Sequence, residues 1–220
     1  MQDFWLTEAV FNNAAWCNTI AISHGVPTNW SESAWFSEHP MPRHYPNVVT
    51  LINGALIDNQ LHTIDPRLSP GWGIKDSYGE FELEDKGFTL AFEAKWYCRL
   101  PNQYLTKVEC QGFQLKAVQT PSDLNRWVAA WGEGDGVFNV TLLENKTVEL
   151  IYIERDGEIV AGLATNQSGD TVGISNTFGP REDILYCVAS VARSYPTKGI
   201  VGYDSKDEVV ALSKLGFSEI

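Results

Sequence analysis

Cysteine and histidine are the side chains with the widest intrinsic chemistry, and here their spacing gathers neither into a cluster. Cys17, Cys98, Cys110 and Cys187 never approach a CxxC pattern, so neither a zinc site nor a disulfide framework is expected. Buried free thiols are the expectation instead. His39 and His44 lie in the proline-broken stretch HPMPRHYPN rather than on a helical face, and no metal site is expected from them. No nucleophile elbow, dinucleotide fingerprint or Walker loop is present. What remains is Gly179-Pro180-Arg181-Glu182-Asp183, placed where a helix should begin. A helix N-terminus attracts anions through its free N–H groups, and the fork of Arg181 suits a phosphate. Against this, Pro180 has no N–H to offer, and Glu182 and Asp183 would repel an anion. The same two acids are ordinary favourable first-turn residues of a helix with no ligand, so both readings of the segment stand.

The elements that would hold this segment run from Val148 onward. VELIYIERDG, EIVAGLATNQSG and DTVGISNTFG read as three β runs. Asp156-Gly157 between the first two is a strong hairpin signal, because a two-residue turn needs positive φ. Ser168-Gly169-Asp170 marks a second turn. The period then changes: Ile184, Leu185, Val188, Val191 and Ala192 fall at helical spacing, with Pro180 at the start and Pro196 as the stop. A further β run, Gly199–Tyr203, a helix over Lys206–Lys214 and Gly216-Phe217 complete an ordered α+β unit.

At these residues the chain resembles the GNAT superfamily of acyl-CoA-dependent N-acetyltransferases. The likeness rests on the hydrophobic–Asp–Gly–x–hydrophobic–Gly hairpin from Ile151 to Gly162, the β run into a helix from Val172 to Arg193, and the closing Ala211-Leu-Ser-Lys-Leu-Gly-Phe217. It covers about half the chain, from Gln114 onward. The resemblance implies a GNAT-like α+β fold, with a mixed, mostly antiparallel central sheet flanked by helices. It implies acetyl-CoA as co-substrate, held along the fourth strand (Val172–Phe178) by Ser175, Asn176, Thr177 and Phe178. The pyrophosphate would then fall to Gly179 and Arg181, with Ser205 where the family commonly has asparagine. The chain departs from the family loop in keeping one glycine, and Leu212 stands where the family often has the tyrosine that protonates the leaving thiolate. By fold position, Tyr203 and Asp204 are the substitutes as acid and base. An amine needs little beyond deprotonation and orientation near a thioester. The implied function is transfer of an acetyl or other acyl group from CoA to a small amine. The alternative is a catalytically inactive GNAT-like module that binds a metabolite or a protein partner.

The first half is less regular. A helix is expected over Asp3–Gly25, a short helical piece around Glu32–Phe36, a strand at Val48–Ile52, a loop over 58–73 and a half-buried strand at Phe88–Trp96, where apolar and polar residues alternate. Trp30, Trp35, His44 and Tyr45 could line an acceptor pocket or simply fill a core. Lys75-Asp-Ser followed by Leu83-Glu-Asp-Lys-Gly-Phe88 is similar to Tyr203-Asp-Ser followed by Leu212-Ser-Lys-Leu-Gly-Phe217, which suggests two GNAT-like halves, 1–110 and 111–220. The second half would open with a strand from Phe113 and a helix around Leu124–Trp131 capped by Ser122 or Asp123. It would continue through GEGDG (132–136) as a mobile loop over a site, its last strand missing or supplied by the first half.

Composition bounds the rest. Of 220 residues, 44% are apolar and 12% aromatic, as in folded globular proteins, with no run suited to crossing a membrane. The start lacks a basic, apolar leader, so a cytoplasmic location is expected. A net charge of −12 argues against nucleic acid and anionic membrane as partners. It is compatible with a cationic amine substrate, or with solubility alone.

Overall fold

The computed structural model describes residues 2–57, 60, 73–105, 114–134 and 136–220. Cys110, the expected boundary at 110/111 and most of the expected loop over 58–73 lie outside them. The chain divides into two compact units, one of Met1–Asn12 with Ala94–Ile220 and one of Asn13–Glu93. A helix α1 (Gln2–Ser23) opens the chain. No helix among the described residues is long and apolar enough to cross a membrane.

The unit of Asn13–Glu93 carries a four-stranded sheet of short strands, β1 (Asn29–Trp30), β2 (Ala34–Phe36), β3 (Val48–Thr50) and β4 (Ile74–Lys75), in that order. β3 and β4 are parallel, the others antiparallel. Residues 34–36, expected to be helical, form β2. The Ser31 hydroxyl accepts from the Ala34 N–H at 3.0 Å, which makes a turn, and Trp35 and Phe36 pair with Val49 and Val48. Aromatic residues facing a β-branched strand outweigh a weak helical preference. Trp35 and Tyr45 are buried, whereas Trp30 is exposed. Trp35 donates its indole N–H to Asn18 Oδ1 at 3.0 Å, and Tyr45 stacks edge-on to Trp16.

The strand expected at Phe88–Trp96 begins only at Lys95, as β5 (Lys95–Arg99). Residues 88–94 carry no ladder, and Leu90 and Phe92 are exposed. Alternation describes a surface that would suit a sheet; it does not supply the partner strand. The two similar Gly-Phe segments do share local geometry. Glu84–Lys86 and Ser213–Leu215 are both 3-10 turns ended by a left-handed glycine, Gly87 at φ 88° and Gly216 at φ 83°.

The other unit is built on seven strands. β5 is joined by β6 (Gln114–Ala117), β7 (Val148–Arg155), β8 (Glu158–Ser168), β9 (Thr171–Phe178), β10 (Gly199–Asp204) and β11 (Ser218–Glu219), in the order β11-β5-β10-β9-β8-β7-β6. Every neighbouring pair is antiparallel except β9 and β10, which are parallel. This is the α+β, mostly antiparallel, GNAT-like arrangement that the resemblance implies. Asp156 and Gly157, at φ 51° and 87°, make the hairpin turn with the twist two antiparallel strands need. The place beside β10 is filled by β5, from far upstream in the chain.

Three helices complete the unit: α2 (Pro121–Trp131), α3 (Arg181–Ser194) and α4 (Lys206–Leu212). The cap of α2 is Thr120, not Ser122 or Asp123. Its hydroxyl accepts from the Asp123 N–H while the Asp123 carboxylate accepts from the Thr120 N–H, with Pro121 between; this capping box puts the acid at the third helical position, not at the cap. On one face of the sheet, Cys187, Val188, Val191 and Ala192 of α3 pack against Ile153, Leu163, Val172 and Ile200. On the other, Ala9 and Trp5 of α1 pack against Cys98 and Val201. Cys17, Cys98 and Cys187 are buried and in no disulfide.

Candidate functional site

Parallel strands that keep their spacing exhaust each other's hydrogen bonds; strands that part leave an unpaired edge inside the sheet. β9 and β10 pair only at Thr171–Gly199, Val172–Ile200 and Gly173–Val201. Beyond that point β9 continues to Phe178 and β10 to Asp204 without pairing to each other, so the sheet forks. Two local features bend β9 away. Its pairing with β8 slips between Gly162 and Ala164, and Asn176, inside the slip, sits at φ 52°, the left-handed conformation that asparagine tolerates. The fork opens into a narrow cleft lined by Tyr97, Thr177, Arg181, Ile184, Leu185, Val188, Asp204, Glu208 and Leu212.

At the end of β9 the chain turns sharply into α3. Gly179, at φ 107°, lies against β8 so closely that a Cβ there would meet the Val160 carbonyl oxygen at 2.5 Å and the Ala161 Cβ at 2.6 Å. Pro180 is the N-cap residue and supplies no side-chain cap. The N-terminus of α3 therefore ends in backbone N–H groups without a capping side chain, the arrangement that attracts an anion. Of the two first-turn acids, Asp183 is neutralised: Arg155 of β7 donates to both its oxygens at 3.2 Å. Arg181 is also engaged. Its Nε donates to both Glu208 oxygens at 3.1 Å and its Nη2 to Oε1 at 2.5 Å. This bidentate bridge joins α3 to α4 among the residues that line the cleft.

Strand alternation sorts the remaining expected residues. Asp204 lines the cleft and Tyr203 points to the other face, where it stacks edge-on to Trp96 at 5.3 Å. The two residues read as acid and base are thus divided between the faces of β10. Burial first, and then the negative charge of Glu208, raises the Asp204 carboxyl above its ordinary pKa, against the opposing hydrogen bond from the Ser205 N–H at 2.7 Å. Ser205 caps α4, its hydroxyl accepting from the Glu208 N–H at 3.4 Å. Thr177 lines the cleft. Phe178 does not; its ring packs edge-on to Trp127 of α2 at 5.0 Å, and only its backbone belongs to the fork. In the expected loop 132–136, Gly132 ends α2 in a left-handed conformation; Asp135 lies outside the described residues. Among the described residues no group of three or more His, Cys, Asp or Glu side chains is placed to hold a metal ion.

Sequence reasoning missed Tyr97 and Glu208. Tyr97 is the register partner of Gly202 across the β5–β10 ladder, and its ring, packed edge-on to Phe217 at 5.5 Å, is buried with the hydroxyl in the cleft. Burial chiefly, helped by the charge of Asp204, holds its proton well above the usual phenol range. The only sequence signal was Gly202 inside a β run, since a strand glycine often marks a close approach; nothing local says that a residue 105 positions upstream makes it.

No protein-family model matches the chain, and no curated protein sequence does. Solved structures do. A GCN5-related N-acetyltransferase from Kribbella flavida is 12% identical with a TM-score of 0.44, over 60% of this chain and 56% of that one. A functionally unknown conserved protein from Staphylococcus epidermidis is 8% identical with a TM-score of 0.53, over 89% of this chain and 90% of that one. A protein from Clostridium acetobutylicum solved with acetyl-CoA is 15% identical with a TM-score of 0.37, over 49% of this chain and 91% of that one. The chain thus spans little more than half of the Kribbella protein. At 8% identity and a TM-score of 0.53, the likeness to the Staphylococcus epidermidis protein is one of fold.

Proposed function

We propose that this protein transfers an acyl group from an acyl-CoA to a small amine, with the thioester arm lying in the fork between β9 and β10. The observation that carries the reading is the fork itself. Ile174–Phe178 turns an unpaired backbone edge into a cleft that ends at an uncapped helix N-terminus, so an amide-bearing arm has strand-like partners and a phosphate has N–H donors at one end of it. The residues present fit such a group: Gly179 keeps the corner tight, and Arg155 cancels the charge of Asp183 at the anion end. When bound, acyl-CoA supplies a thioester carbonyl open to attack by an amine. Asp204, a carboxylate of raised pKa in the cleft wall, is the group in reach to accept a proton from the incoming ammonium.

Arg181 must change partner for this to work. In its present bridge the guanidinium is spent on Glu208, and binding a pyrophosphate requires that it turn outward. Titration of the purified protein with acetyl-CoA, followed by heat release, tests the reading. Glu208→Gln frees Arg181 and should tighten binding, and Arg181→Glu should weaken it. Absence of binding in the wild type and in Glu208→Gln alike would overturn the proposal. That outcome would favour the second reading, a non-catalytic module, for which the specific observations are the closed Arg181–Glu208 bridge and Leu212 at the family's tyrosine position.

A further inference from the structure

We propose that Tyr97 closes the inner end of the fork and confines the donor to short acyl groups, acetyl and propionyl accepted and hexanoyl refused. The inference rests on the acyl-CoA reading and assigns to it a residue and a substrate class. The last paired residues of the fork are Gly173 and Val201, so its apex lies between Ile174 and Gly202. A side chain at 202 would fill that apex. Because the residue is glycine, the phenol of its ladder partner lies across β10 instead. A Cβ at Gly202 would meet the Tyr97 hydroxyl at 2.3 Å and its Cζ at 2.5 Å, with the Ile174 carbonyl oxygen at 3.0 Å. The hydroxyl therefore stands at the point where the two strands part.

Direction follows from the same geometry. The anion end of the cleft is at Gly179 and the start of α3, past the C-terminal end of β9, and the apex is at the opposite end of the unpaired edge. An arm anchored at the first runs back along Phe178 to Ile174, and its acyl end arrives at Tyr97. The ring has little freedom to yield, being 2% exposed and packed on Phe217. Leu212 and Val188 line the cleft beside it, an apolar surface that suits a short alkyl tail. Overfilling a packed, stiff pocket is unfavourable, and adding several methylenes at a closed end gives that outcome.

The test is a set of calorimetric titrations with CoA, acetyl-CoA and hexanoyl-CoA, on the wild type, Tyr97→Phe and Tyr97→Val. The wild type should bind hexanoyl-CoA roughly tenfold or more weakly than acetyl-CoA. Tyr97→Val should erase or reverse that preference, and Tyr97→Phe, which keeps the ring packing and removes only the hydroxyl, should reduce it. Unacylated CoA, which carries no acyl tail to meet Tyr97, reports on the rest of the site in each protein. Hexanoyl-CoA binding within about twofold of acetyl-CoA in the wild type, or an unchanged preference in Tyr97→Phe and in a folded Tyr97→Val, overturns the assignment of Tyr97 while CoA binding preserves the site. Failure of CoA and both thioesters to bind any of the three overturns the site as well.

Discussion

The corner at Gly179 joins the fork to the anion end of the cleft, and replacing that glycine by alanine measures how firmly the corner is built. Two penalties add. The residue sits at φ 107°, a conformation that an L side chain rarely adopts and that costs about 1–3 kcal/mol. The new methyl also meets the Val160 carbonyl oxygen at 2.5 Å and the Ala161 Cα at 2.7 Å. Both are backbone atoms of a central strand, with no rotamer through which to retreat, so an overpacking cost of about 1–3 kcal/mol applies as well. The sum is roughly 2–6 kcal/mol, a large part of an ordinary domain's stability. With a urea slope of about 2–3 kcal/mol/M, the midpoint should fall by on the order of 1 M or more. Tryptophan fluorescence follows the transition, since Trp127 is fully buried in this unit against Phe178. A midpoint within about 0.2 M of the wild type at unchanged slope would refute the reasoning, for it would mean that the corner relaxes freely.

Asp204→Asn should alter how stability depends on pH. The Asp204 carboxyl has a higher pKa folded than unfolded, so its contribution is fully present below about pH 4, the ordinary carboxylate value, and is lost as pH rises through the folded value. The variant should therefore gain on the wild type as pH rises above about 4 in chemical denaturation, and parallel curves would count against the burial of that group. Thr120→Ala removes one half of the capping box of α2 and should cost about 1 kcal/mol, read as a lower urea midpoint. Thr120→Ser should restore most of it, and equal losses in both variants would contradict the cap.

The unit that holds the fork was largely legible in its second half because its signals are local. Asp156-Gly157 and the change from period two to helical spacing after Pro180 each act within a few residues, and each appears in the structure where the sequence puts it. The misreadings share a different physical origin. Phe88–Phe92 alternates well and finds no partner strand among the described residues, whereas Ala34–Phe36 has weak strand character and acquires one from β3. Of the site, the backbone positions of β9 and the start of α3 could be assigned from pattern. The Arg181–Glu208 bridge and the reach of Tyr97 over Gly202 could not, because they depend on which helix ends and which strands become neighbours across the sheet.

The place of β5 also has a consequence in time. Its ladder neighbours, β10 and β11, lie roughly a hundred residues further along the chain. At a synthesis rate of about 5–20 residues per second, Lys95–Arg99 waits on the order of 5–20 s after it is made before β10 exists to pair with it. During that interval both edges of Trp96–Cys98 lack their ladder partners, which makes the segment a natural client for a holdase and a seed for association between nascent chains. The residue that finishes the cleft is thus among the first of its unit to be synthesised and must be among the last to reach its seat.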